Sequence, residues 1–77
     1  MSLIDLRKQI DTIDDQIIDL LEKRLKIAKE VRKFKKQTAD ENREKEILAK
    51  IHSQYIKDIY MTIFKNSKKV QEENNDI

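Results

Sequence analysis

Five polar residues stand where helical periodicity calls for aliphatic ones, and their types are those that grip anions. Leu3, Leu6, Ile10, Ile13, Ile17 and Leu20 recur at alternating steps of three and four, and the stripe resumes at Ile27, Val31 and Phe34. This is the pattern of an amphipathic helix. The step after Leu20 lands on Arg24. Lys35 follows eleven residues later, which is only about 20° further around a helix and ~16 Å along it. Two long cationic side chains leaning together across that span leave a gap sized for a small dianion. On a second stripe, Glu44 shares the face of Ile47, Leu48 and Ile51, and on a third, Ser67 and Gln71 extend the row of Ile56, Tyr60 and Ile63. Together such groups would line a polar pocket that takes a small dianion. They lack the companions that nucleophilic or metal chemistry needs: the chain has no Cys, and His52 is the only His.

Each residue also has an ordinary structural reading. Arg24 at a seam position can set register or snorkel to water. Glu44 can form an internal salt bridge with Arg24 or Lys35, Ser67 and Gln71 can be a wet helix end, and Asp40 can be a helix cap. Desolvating a charge without a partner costs several kcal/mol, so polar groups on every apolar stripe need a shared explanation. Their joint occurrence favours a polar pocket.

The elements that must hold these groups are three helices. The first stripe runs from about residue 3 to 36, with Ser2 and Asp5 as its start signal. It stops near Gln37-Thr38-Ala39-Asp40, where Thr38 and Glu41 read as a capping box, with Asp40 as a rival cap, for a second helix over about 40–51. His52-Ser53-Gln54 is the next break, and a third helix spans about 54–72. The polar tail 73–77 is expected to fray. The prediction is one all-α domain over 1–77.

Composition agrees. Charged residues make up 42% and hydrophobic ones 38% of the 77 residues, with no Gly and no Pro. That suits solvent-washed helices and excludes a turn-rich β fold. The absence of Cys fits a reducing cytoplasm, and no apolar run is long enough for a membrane span. Lys23 to Lys36 holds eight Lys or Arg against one acid, Glu30. These residues spread around the helix without interleaved aromatics, so a solvated face is expected rather than a nucleic-acid interface.

Length then bears on assembly. A helix from 3 to 36 is roughly 50 Å long, whereas a compact chain of this size has a diameter of about 30 Å. The stripe continues to Phe34, so its protruding end needs another surface, and a second copy supplies one. A homodimer is expected.

The ordered motifs resemble one family. Leu6-Arg7-Lys8-Gln9-Ile10-Asp11-Thr12-Ile13-Asp14 is similar to the opening motif of the all-α chorismate mutases. Leu20-Leu21-Glu22-Lys23-Arg24 and Ile27-Ala28-Lys29-Glu30-Val31 resemble its next block, and Lys33-Phe34-Lys35 carries its lysine. Asp40 with Asn42-Arg43-Glu44 resembles the start of its second helix, and Ser67-Lys68-Lys69-Val70-Gln71 its last motif. The resemblance covers about residues 3 to 72. Two stretches are shorter than in the family: the connection from Lys35 to Arg43, which lacks the customary Gly or Pro, and the stretch from Arg43 to Ser67.

The resemblance implies an intertwined homodimer with shared sites that converts chorismate to prephenate without a cofactor or metal. It implies that Arg24 pairs with a substrate carboxylate and that Arg7 reaches in from the partner subunit. Lys35 and Gln71 would donate to the ether oxygen, with Lys35 also touching a carboxylate. Glu44 would accept the ring hydroxyl, and Asp40, Arg43 and Ser67 would complete the wall. The same fold and pocket chemistry also serve an isochorismate pyruvate lyase. A non-catalytic helical dimerisation module is the remaining alternative, and neither a nucleic-acid nor a membrane partner is expected.

Overall fold

The computed structural model describes residues 1–34 and 41–73; Lys35, Thr38 and Asp40 lie outside the described residues. Among those described, the chain is all-helical: α1 (Leu3–Val31), a single 3-10 turn (Arg32–Phe34), α2 (Glu41–Ala49) and α3 (Gln54–Glu73). No described helix is long and apolar enough to cross a membrane.

Local chemistry sets the ends. The Asp5 amide donates to Ser2 Oγ at 3.2 Å, and the Ser2 amide donates back to Asp5 Oδ2 at 3.3 Å. This reciprocal capping box satisfies donors that the first turn of any helix leaves without internal partners. With no Gly or Pro to interrupt it, α1 continues for 29 residues, about 43 Å. Its α-helical geometry ends at Val31, short of the residue 36 to which the stripe had pointed, and Arg32–Phe34 tighten into the 3-10 turn. Lacking a terminal Gly, α2 closes by tightening too. Lys50 N donates to Ile47 O and Ile51 N to Leu48 O, at 3.1 and 3.0 Å. These i→i+3 bonds satisfy two end carbonyls. Ser53 then starts α3, its Oγ and carbonyl accepting from the amides of Ile56 and Lys57.

The three helices enclose little. Ala28 and Phe64 are the only buried apolar residues among those described, and the Tyr60 ring meets Phe64 edge-on at 5.8 Å. Ala28 is small, which lets α3 come close to α1 at that point. The chain is elongated, 51 × 28 × 14 Å with a radius of gyration of 15.7 Å, against about 11–12 Å for a compact chain of this length. Along α1, Leu6, Ile10, Ile13, Ile17 and Leu20 remain 44–62% exposed.

Candidate active site

Where α1 and α3 meet, each presents one face at i, i+3, i+4 and i+7. From α1 these are Arg24, Ile27, Ala28 and Val31; from α3 they are Phe64, Ser67, Lys68 and Gln71. That spacing puts four side chains on one side of a helix. Two bonds fix the register. Arg24 Nη1 donates to Ser67 Oγ at 2.7 Å, and one turn further along both helices Gln71 Nε2 donates to the Ala28 carbonyl at 3.1 Å. Because both partners advance by one turn together, α1 and α3 run parallel. Arg43, Glu44 and Ile47 of α2 close the third side of a cleft of about 200 Å³. That is below the ~300 Å³ at which drug-sized ligand pockets begin, so it takes a small molecule.

The cleft is a cation-rich recess over an apolar floor. Among the described lining residues three are cationic, Arg24, Arg43 and Lys68, and one, Glu44, is a carboxylate. Such a recess holds a small dianion and repels cations. Ser67 takes one of Arg24's five N–H donors without neutralising its charge. Gln71 is 9% exposed, and its amide orientation follows from its partner. A carbonyl can only accept, so the amide nitrogen must face Ala28, and its second hydrogen has no partner among the described residues. A buried neutral donor of this kind stabilises negative charge developing in front of it.

The structure thus brings together Arg24, Arg43, Glu44, Ser67 and Gln71. Arg7, on the first half of α1, is exposed and lies seventeen residues before Arg24, about 25 Å along the helix. It does not enter the cleft of its own chain. Lys35 and Asp40 lie outside the described residues. Of the two partners expected for Glu44, Lys35 lies outside the described residues, and among those described Glu44 meets α3 and not Arg24. Its Oε2 meets Lys68 Nζ of α3 at 2.9 Å. Sequence reasoning missed Lys68 as a lining residue. Its only sequence signal is the position four residues after Phe64 and three before Gln71, which puts it on their face.

Among the described residues the chain is all-helical, and a small cleft lined by three cations and one carboxylate lies between α1 and α3. The sequence matches the chorismate mutase type II family over residues 6–72, and the chain belongs to that family. No curated protein and no solved structure matches it.

Proposed function

We propose that this chain is a chorismate mutase, converting chorismate to prephenate as a two-fold dimer with shared sites. In this one-substrate pericyclic step the ether C–O bond breaks while a C–C bond forms, so no nucleophile or redox group has to take part. The catalyst must hold a flexible dicarboxylate in its reactive conformer and stabilise the charge that builds on the ether oxygen. Arg24 and Lys35 are the carboxylate clamps, Arg43, Ser67 and Asp40 complete the wall, and Glu44 accepts the ring hydroxyl. Lys35 and Gln71 donate to the ether oxygen; one donor of this kind is typically worth ~3–4 kcal/mol.

The observation that carries the reading is Gln71. It is a buried amide held by the Ala28 carbonyl, in a cleft that Arg24, Arg43 and Lys68 also line. A merely structural glutamine would need no cationic lining around it. Family membership over residues 6–72 supports the same substrate class.

Two observations support the dimer. A compact 9.3 kDa monomer exposes about 5,000 Å², whereas this chain exposes 6895 Å², and the apolar stripe of α1 is among what is exposed. Charge along α1 is also segregated. Residues 3–22 carry six acids and two bases, and residues 23–34 carry six bases and one acid. Two copies packed antiparallel set acidic half against basic half, and the same arrangement carries Arg7 of one subunit toward the cleft of the other.

The test is to follow chorismate absorbance with purified protein and to identify the product. Loss of chorismate with formation of prephenate supports the proposal. An inert protein, or one that releases pyruvate from isochorismate in preference to converting chorismate, would sink it.

A further inference from the structure

A carboxylate in a cleft with two guanidinium groups has an obvious alternative partner. Arginine binds carboxylates through two parallel N–H donors, more strongly than a lysine ammonium does. A Glu44–Arg24 pair would therefore fill the cleft with its own salt bridge and remove the cation that an incoming anion needs. That pairing does not occur. Arg24 donates to Ser67, and Glu44 is taken by Lys68 at 2.9 Å. The Lys68 and Glu44 side chains are only 35% and 22% exposed, so solvent screens the pair incompletely. Ser67 and Lys68 are adjacent on α3. Two successive residues thus divide the task, one giving Arg24 a neutral anchor and the other giving Glu44 a counter-charge.

We propose that Lys68 is a positioning residue that keeps Glu44 from capturing Arg24, so that the anion clamp stays open in the unliganded protein. Lys68 is a compact point charge and can occupy one carboxylate oxygen of Glu44 while the other remains open to a ligand hydroxyl. Its effect on substrate binding therefore passes through Glu44. The inference rests on the mutase reading for its substrate.

The experiment is a double-mutant cycle on the full-length chain, with steady-state chorismate kinetics and thermal melting of each protein. Lys68→Met in the otherwise wild-type protein frees Glu44, so KM rises about tenfold or more while kcat changes less. In a Glu44→Gln background no carboxylate remains to compete, and the same Lys68→Met change moves KM by less than about twofold. Lys68→Arg keeps the counter-charge but can engage both Glu44 oxygens, so it recovers KM only in part. If Lys68→Met does not fold, Lys68→Gln completes the cycle. An equal rise in KM in both backgrounds would mean that Lys68 touches the ligand directly, and a lower melting temperature with unchanged KM would make it only a strut between α2 and α3. Either result overturns the proposal. Failure of the underlying reading is distinct, because a wild-type protein that leaves chorismate unchanged shows it before any substitution is made, and it removes this proposal as well.

Discussion

Gln71 Nε2 reaches the main-chain carbonyl of Ala28 at 3.1 Å, and this contact depends on residue 28 having almost no side chain. Ala28 is one of only two buried apolar residues described, so the approach of α3 to α1 and the placing of the candidate ether-oxygen donor rest on one small residue. Ala28→Leu should push the helices apart. Overpacking of this kind costs ~1–3 kcal/mol, and the displaced Gln71 should lower kcat well beyond any effect on KM. Melting curves and steady-state kinetics check both. A variant with native activity would show that the Gln71–Ala28 contact does not set the site.

Ser67→Ala tests the other register bond. It removes the neutral anchor of Arg24 at 2.7 Å without touching the charge that binds the anion. The guanidinium then samples more positions, and kcat/KM should fall by about tenfold, or ~1.4 kcal/mol. Stability should change little, since the site is only part-buried. An unchanged kcat/KM would mean that Arg24 is held by packing alone.

Association is read from sedimentation. The protein should be a dimer at micromolar concentration, and Ile17→Asp, which puts a charge on a residue 47% exposed in the single chain, should abolish dimer formation. A folded, active monomer would defeat the dimer proposal. Mixing inactive Arg7→Ala and Arg24→Ala proteins tests the shared site. Heterodimers contain one site with both arginines, so some activity should return. No recovery despite proven subunit exchange would exclude a role for Arg7 across the interface.

What could be read from the sequence was whatever depends on local spacing. The Ser2–Asp5 box, the α1 stripe and the i, i+4 placement of Ser67 and Gln71 are consequences of one helical period and of short-range cap chemistry. Pairings between helices were not legible. On the sequence Glu44 could pair with Arg24 or Lys35, and only the packing of α2 against α3 brings it to Lys68. At the end of α1 the apolar stripe and the α-helical backbone part. Phe34 continues the apolar stripe, but it is 88% exposed in the single chain, and the backbone has already tightened after Val31. An apolar side chain marks a surface to be covered and does not guarantee continued α-helix. Arg7 is the opposite case. Its motif was plain in the sequence, yet no contact within one chain explains it.

The sharpest prediction concerns the proton on the group at position 71. A neutral amide donates at any ordinary pH, so wild-type kcat/KM should vary little between about pH 6 and 8. Gln71→Glu keeps the shape and changes the proton requirement. The introduced carboxyl faces the Ala28 carbonyl, an acceptor that repels a carboxylate but can receive a hydrogen bond from the protonated acid. Burial acts in the same direction, so the pKa of the introduced group should lie above the ordinary carboxylate range. The sign follows. At high pH the group is ionised, donates to nothing and repels both the dianion and the developing ether charge; at low pH it is protonated and can donate. One proton must satisfy either Ala28 or the ether oxygen, where the amide has two, so recovery should be incomplete. The variant should be nearly inactive at pH 8 and gain tenfold or more on acidification toward pH 5, equal to ~1.4 kcal/mol or more of transition-state binding. Measuring kcat/KM for both proteins from pH 5 to 8 decides the point. Parallel profiles would mean that Gln71 does not touch the reacting oxygen, and its bond to Ala28 would then be a helix-packing contact alone.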